Sequence, residues 1–219
     1  MNINKLLILL FSVLFFLFAV SVSSGCFRKN ESDVKSVVRN ELDQLKNLDS
    51  ETTQKYIPYT ELFPDATENT DLTDEINKTF SLFFRKFNYK ISDVIVGTTN
   101  HSATVSVKLT TIDSKVLARD FKAELLRTQI TESAQAQKGN IKDSSRSLEA
   151  HYLILNHLLN TNDYDTAETD CNIQLVNTGN DKKEKWKIQR TNSLEDDLVG
   201  GLIADLADPD ILSPEDTLT

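Results

Sequence analysis

Residues 103–110 read Ala-Thr-Val-Ser-Val-Lys-Leu-Thr, and this stretch decides the fold class of the chain. Apolar and polar side chains alternate along it with a period of two, as in a strand that buries one face and exposes the other. Residues 167–175 show the same period, with Ala, Thr, Cys, Ile and Leu alternating with Glu, Asp, Asn and Gln. The two stretches predict strands of an antiparallel sheet with one polar face.

Each of these strands has a predicted hairpin partner. Residues 89–99 predict the strand that precedes the first stretch, and residues 97–101 supply the turn between them. After the second stretch, a turn at residues 177–183 leads into a return strand on which Trp186 and Ile188 face inward. The chain therefore carries two β pairs.

Apolar residues at steps of three and four predict helices before the first β pair. One helix is predicted to begin with Ser32 as its N-cap, and a short helix follows at residues 50–56. The next helix carries an aromatic stripe made of Ile76, Phe80, Phe83, Phe84 and Phe87. Such a stripe could line a cavity, but it is more often the helix face against which a sheet packs.

Residues 114–160 predict a large helical insertion between the two β pairs. The first inserted helix has an apolar face made of Val116, Leu117, Phe121, Leu125 and Ile130. The second inserted helix holds Leu148, Tyr152, Leu155, Leu158 and Leu159. Polar residues 133–145 lie between the two, either as a loop or as a solvated continuation of the first helix.

A last helix is predicted to close the domain. Ser193 and Asp196 have the spacing of a capping box, and apolar residues recur over residues 194–206. Gly200-Gly201 weakens this helix by roughly 1 kcal/mol per glycine. The order of elements indicates an α+β fold in a single domain, residues 32–207, in which an antiparallel sheet packs on helices. Residues 208–219 predict an acidic, disordered tail.

The first 26 residues indicate export. Lys5 precedes an apolar run of 17 residues, 6–22, which as a helix measures about 26 Å. That length is long for a signal peptide and short for a bilayer core of roughly 30 Å. Ser23-Ser24-Gly25-Cys26 then resembles the bacterial lipobox, in which signal peptidase II cuts before a lipid-bearing cysteine, although Ser23 stands where that motif usually has Leu. An uncleaved anchor helix and ordinary cleavage with release are the alternatives.

The lipobox predicts how the mature protein is placed. Residues 1–25 are the signal peptide, Cys26 is lipidated, and residues 26–31 are a linker that keeps the domain within roughly 20 Å of the bilayer. The predicted location is the extracellular face of the bacterial cytoplasmic membrane. Cys171, the one other cysteine, then has no disulfide partner and is predicted to be a small buried hydrophobe.

Charge narrows the range of partners. Without residues 1–25, the chain has 194 residues and a formal charge of −10, because the removed segment contains one Lys and no acid. This balance argues against binding to nucleic acid, which needs clustered Lys and Arg. It also argues against electrostatic adhesion to anionic lipid, so that the lipid anchor is the only membrane contact predicted from composition.

The sequence contains no recognisable catalytic or metal-binding motif. A phosphate-binding glycine loop and a nucleophile elbow are absent, and His151 and His157, six residues apart, fall on different faces of a helix. Asp196, Asp197, Asp205, Asp208 and Asp210 lack the spacing of a calcium loop. No catalytic residue, metal ligand or cofactor is therefore predicted, and the chain is not predicted to be an enzyme.

Several features together resemble an uncharacterised family of Gram-positive surface lipoproteins that carry a domain of unknown function. They are the lipobox, the N-terminal helices, residues 107–113 leading into a helix, the strand at residues 186–188, and residues 198–202. The resemblance implies a nuclear transport factor 2-like or cystatin-like fold, in which an antiparallel sheet curls around a helix. It implies no catalytic residues.

Three functions remain open at this point. The preferred one is a lipid-anchored module that binds an envelope or extracellular protein. The second is a pocket for a small apolar ligand, lined by Phe80, Phe84 and Trp186. The third is an enzyme that uses a buried carboxylate in the same pocket, and it is weakened because no acid interrupts the inward-facing residues of strands 103–109 and 169–175.

Overall fold

A computed structural model describes residues 30–56, 62–63, 72–99, 101–136, 147–179 and 184–212 of the 219-residue chain. It confirms the α+β class, with four antiparallel strands packed on helices in the sheet order β1-β2-β3-β4. The strands are β1 (Asn88–Val96), β2 (Ser102–Ile112), β3 (Thr166–Asn177) and β4 (Trp186–Ile188). Most of the predicted linker and the whole predicted signal peptide lie outside the described residues.

The helices of the described ranges are α1 (residues 30–46), α2 (Ser50–Tyr56), α3 (Thr73–Phe83), α4 (Ser114–Ala136), α5 (Leu148–Thr161), α6 (Asn192–Leu198) and α7 (Leu202–Ala207). Two of them, α4 and α5, lie between β2 and β3, where the sequence predicted a helical insertion. Helix α3 packs against α5, and α4 packs against both α5 and α7.

Alternation accounts for β2 and β3. The odd-numbered side chains of β2 from Ala103 to Leu109 are buried, as are Cys171, Ile173 and Leu175 of β3. Strand β1 differs, since none of its side chains is buried and Ser92 and Asp93 are exposed in succession. A break of this kind is typical of a β-bulge on an edge strand. The hydroxyl of Ser92 donates to the Ser106 carbonyl at 3.0 Å.

The described chain divides into two compact units. The first unit holds residues 30–39, Asp93–Val105 and Ile173–Gln189, which include the start of α1 and the ends of both hairpins. Within it the Asn177 amide donates to the His101 carbonyl at 2.9 Å, so the two hairpin ends lie side by side. The second unit holds Asn40–Ser92, Ser106–Asn172 and residues 190–212. The prediction of a single domain over residues 32–207 stays a prediction.

Two predicted helix starts were wrong. The first helix already includes Asn30, which is buried, so Ser32 lies inside the helix and is not its N-cap. Helix α6 is capped by Thr191 and not by Ser193, since the Thr191 hydroxyl accepts the Leu194 amide at 3.1 Å. The reason is that the extended backbone of Thr191, with φ −139° and ψ 152°, provides the cap geometry.

The predicted closing helix is in fact two helices. Gly200 and Gly201 have φ of +66° and +91°, a left-handed conformation that a right-handed helix does not use. Gly200 is also packed tightly, because a Cβ there would lie 2.2 Å from the Thr111 hydroxyl oxygen. Asp196 belongs to α6 and caps α7, with Oδ1 accepting the Ile203 and Ala204 amides at 2.9 and 3.1 Å.

The apolar face predicted for the first inserted helix was wrong at its far end. Leu117 and Phe121 of α4 are buried, but Ile130 is 61% exposed. Helix α4 has 23 residues and α5 has 14, or about 35 and 21 Å. Leu126 is 48% exposed as well, so the apolar face of α4 is uncovered at both positions in the described part of the chain.

The predicted acidic tail is only partly described. Residues 208–212 form a turn in which Ile211 is buried and the Asp210 amide donates to Asp208 Oδ1 at 2.9 Å. Residues 213–219 lie outside the described ranges.

Candidate functional site

The aromatic stripe forms a filled cluster in the second unit. Helix α3 ends at Phe83, a 3₁₀ turn follows at Phe84–Lys86, and Phe87 is extended, but all four phenylalanines of the stripe are buried. The ring centroid of Phe84 lies 5.3 Å from that of Phe87, 5.5 Å from that of Phe83 and 6.4 Å from that of Phe80. These separations are those of favourable aromatic pairs. The prediction that the stripe belongs to the core is confirmed.

The cluster extends to α4 and α5 through further rings. Tyr152 of α5 lies 6.5 Å from Phe80 and 5.5 Å from Phe63. Phe63 in turn stacks on Phe121 of α4 at 5.1 Å. The rings thus form a continuous series from Phe87 to Phe121 inside the second unit.

A small depression lies beside this cluster. It is lined by Leu48, Thr53, Asn77, Phe80 and Ser81 and has a volume of about 20 Å³. That volume is enough for one water molecule, which needs roughly 10–15 Å³. Sites for small ligands measure about 300–1,000 Å³. As it stands, this depression is too small for an apolar ligand.

The three residues predicted to bind a ligand are placed as follows. Phe80 and Phe84 are brought together in the second unit, as described above, whereas Trp186 belongs to the first unit. Trp186 faces inward, as predicted, and its Nε1 donates to Glu184 Oε2 at 3.2 Å. The hypothesis that these three side chains share one ligand pocket stays a prediction.

His151 is the histidine that packs into the aromatic cluster. Its ring centroid lies 4.8 Å from Phe63 and 5.7 Å from Phe121, and its Nδ1 lies 2.8 Å from the Ser147 carbonyl oxygen. Burial lowers the pKa of His151 below its ordinary value, and the hydrogen bond with Ser147 opposes the shift. His157 is exposed on the other side of α5. Among the described residues, no group of three His, Cys, Asp or Glu side chains is arranged to hold a metal ion.

Cys171 is the buried hydrophobe that the alternation predicted. It is 2% exposed, burial raises the pKa of its thiol, and its hydrogen bond with Asp197 raises the pKa further. Burial also raises the pKa of Asp197, while the thiol opposes that shift. Since the thiolate is the nucleophilic form, burial and the neighbouring Asp197 both disfavour a nucleophilic role for Cys171.

Acidic residues near the end of the chain have structural roles. Glu195 is buried and pairs with Arg190 Nε, a charged pair that sequence reasoning missed. The Ser114 hydroxyl lies 2.5 Å from the Gly200 carbonyl oxygen and 2.7 Å from Asp205 Oδ2. These contacts join the start of α4 to the turn between α6 and α7.

Two buried polar atoms were also missed from the sequence. In the described part of the chain, Thr111 Oγ1 and Asn156 Oδ1 are buried and have no hydrogen-bond partner. Asn156 does use its amide nitrogen, which donates to the Glu75 carbonyl at 3.3 Å and links α5 to α3. Continuing the alternation of β2 by one residue would have placed Thr111 inward, but no pattern predicted that its hydroxyl lacks a partner.

The predicted lipidation residue, Cys26, lies outside the described residues. Within those residues, no helix has both the length and the apolar character needed to cross a bilayer. The chain matches no protein-family model, no curated protein sequence and no solved structure.

Proposed function

We propose that the chain is a bacterial surface lipoprotein whose exported part binds an envelope or extracellular protein and catalyses no reaction. The observation that carries this proposal is the filled aromatic cluster around Phe80 and Phe84. A pocket-based function needs an accessible cavity of several hundred Å³ with convergent polar groups. The depression beside Phe80 has a volume of about 20 Å³. A function exerted through the outer surface is thereby favoured over one exerted inside that cluster.

The state of the titratable groups supports the same choice. The thiol of Cys171 is held protonated by burial, and the ring of His151 packs between two phenylalanines. A nucleophile or general base needs access to substrate and a pKa suited to its task. Both side chains are therefore better suited to packing in the interior of the second unit than to catalysis.

For the fold, we infer a nuclear transport factor 2-like or cystatin-like arrangement. It is supported by two hairpins that are consecutive in one antiparallel sheet and by helices that precede and separate them. The resemblance to Gram-positive surface lipoproteins suggests the same arrangement. An experimental structure of the mature chain tests it, and a flat sheet with no helix against its concave face would contradict it.

The anchor is tested by labelling cells with radioactive palmitate. Cys26→Ser is expected to abolish label uptake and to move the protein out of the membrane fraction, because each buried CH₂ of an acyl chain contributes roughly 0.8 kcal/mol. Cys171→Ala is the matched control, since it removes the other cysteine of the chain, and it should leave the label unchanged. Equal labelling of Cys26→Ser and the natural sequence would refute the anchor.

The binding role is tested with residues 26–219 as bait in extracts of the cell envelope. A protein that is enriched must then bind the purified chain in a saturable titration. Bait unfolded in urea and left unrefolded is the control, because a partner that recognises the folded surface is retained only by folded bait. Failure to enrich any protein would count against a binding module.

A further inference from the structure

The end of β1 is an open edge of the sheet in the first unit. In the sheet order β1-β2-β3-β4, β1 has one neighbouring strand, and β4 forms the opposite edge. Strand β4 has three residues, whereas β1 has nine and buries none of its side chains. An edge strand presents unpaired backbone N–H and C=O groups to which a further strand can add. Of the two edges in the described chain, β1 therefore offers the longer one to another strand.

The sequence at this edge favours pairing with another chain. Residues 94–107, which run from the end of β1 into β2, contain no Lys, Arg, Asp or Glu. They begin with three β-branched residues, Val-Ile-Val, and Ile95 among them is 61% exposed. Uncharged segments of high β propensity pair with other chains unless a charged residue next to them prevents it. Asp93 is the charged residue that directly precedes this segment.

The hydrogen bonding of β1 shows which of its backbone groups face the open edge. The Gly97 amide donates to the Ser102 carbonyl, at the start of β2, at 2.8 Å. Successive residues of an antiparallel strand direct their N–H and C=O groups to opposite sides. Gly97 and Ile95 therefore direct these groups toward β2, and Val94 and Val96 direct theirs to the open edge.

One of the donors at the open edge is already bonded. Asp93 Oδ1 accepts the Val94 amide at 2.9 Å, and the Asp93 side chain is exposed. A strand that adds to β1 must bring a carbonyl oxygen to the same amide. The ionised carboxylate occupies that position, and it repels an incoming carbonyl because both groups are acceptors only.

We infer that Asp93 closes the edge of β1 against a second copy of this chain. The edge is complementary to itself, because an antiparallel pair centred on Ile95 sets Val94 of each copy opposite Val96 of the other. Each of these pairs would exchange both of its backbone hydrogen bonds, and half of the bonds would use a Val94 amide. Asp93 would lie opposite Gly97 of the second copy, so that no like charges face each other. What prevents the pairing is the hydrogen bond that the carboxylate makes with its own strand.

The inference is tested by sedimentation of residues 26–219 over a range of protein concentrations, with Cys26→Ser in every variant to prevent disulfide dimers. The chain that keeps Asp93 is expected to be monomeric. Asp93→Ala frees the Val94 amide in both copies and should strengthen dimerisation by about 30-fold, since two further backbone hydrogen bonds can form. Asp33→Ala is the matched control, because it removes the same charge from an exposed position of α1 in the first unit, and it should remain monomeric.

A second substitution assigns the dimer to this edge. Adding Ile95→Lys to Asp93→Ala would set two lysines directly opposite each other at the centre of the pair, where like charges are destabilising. The double variant is therefore expected to be monomeric again, and urea denaturation checks that each variant is folded. A monomeric Asp93→Ala chain, a dimer that persists after Ile95→Lys, or equally strong dimerisation of the chain that keeps Asp93 would overturn the inference. None of these outcomes depends on the lipid anchor or on a protein partner.

Discussion

The two units of this protein differ in what fills them. The second unit contains the aromatic series from Phe87 to Phe121. The first unit contains the ends of two hairpins and the start of α1, and on its edge strand Ile95 is 61% exposed. A large apolar side chain inside the second unit is therefore expected to contribute far more to stability than one on the edge strand of the first unit.

The largest expected effect comes from truncating one apolar side chain in each unit and comparing the two losses in the free energy of unfolding. Phe84→Ala is expected to lower the free energy of unfolding by about 4 kcal/mol, because it empties the centre of the aromatic cluster. Ile95→Ala, on the edge strand of the first unit, is expected to change it by less than about 0.5 kcal/mol, since Ile95 is 61% exposed. Urea denaturation measures both variants.

A large loss of stability in the control variant, Ile95→Ala, would also be informative. A loss of about 2 kcal/mol or more at Ile95 would mean that the edge strand is covered in solution. The denaturation midpoint of the natural chain would then rise with protein concentration if the cover is a second copy. A concentration-independent midpoint with a small loss at Ile95 supports the contrast between the units.

The next largest effect is expected in the turn between α6 and α7, which belongs to the second unit. Gly200→Ala should cost about 3 kcal/mol, since it adds left-handed strain to a contact of 2.2 Å with the Thr111 hydroxyl. Gly201→Ala carries the strain alone, because the nearest atom to its Cβ would be 3.7 Å away, and should cost about 1–2 kcal/mol.

A double mutant separates strain from crowding at Gly200. Combining Gly200→Ala with Thr111→Ala removes the crowded hydroxyl and should recover part of the loss, as a positive coupling in a thermodynamic cycle. Additive losses would show that the short contact does not contribute. Equal costs at Gly200 and Gly201 would lead to the same conclusion.

Local patterns predicted the elements of the fold better than their ends. Period-two alternation correctly assigned the inward residues of β2 and β3, because burial on one face of a strand is a local property. The caps and breaks were harder to predict. Thr191 and Ser193 both offer a hydroxyl in the right place, and only the extended backbone at Thr191 decides between them. At Ile130 the helical pattern was right, but the side chain is 61% exposed in the described chain.

The candidate site was predictable only in part. The burial of Phe80 and Phe84 follows from helical spacing. No local pattern predicts that the Thr111 hydroxyl lacks a partner in the described chain, or that Gly200, 89 positions away in the sequence, lies against it. The lipidation of Cys26 and the ligand role of Phe80, Phe84 and Trp186 stay predictions.

A smaller effect concerns threonines on the two faces of β2. Thr111→Val is expected to raise the free energy of unfolding of the protein by about 1 kcal/mol, because it removes a buried hydroxyl without a hydrogen-bond partner. Thr104→Val, on the polar face within the first unit, should change it by less than about 0.5 kcal/mol. Destabilisation by Thr111→Val would mean that the hydroxyl has a partner in solution, such as a water molecule.

The smallest expected effect is a pH dependence that belongs to the second unit. The folded state lowers the pKa of His151 below the ordinary 6.5, so it favours the neutral ring. The resulting stability is complete above pH 6.5 and is lost as the pH falls through 6.5 toward the pKa of the folded state. His151→Phe should abolish this component of the pH profile of urea unfolding. His101→Gln, at the exposed turn of the first unit, should leave it unchanged. A component that persists in His151→Phe and disappears in His101→Gln would reverse the assignment and place the acid-sensitive group in the first unit.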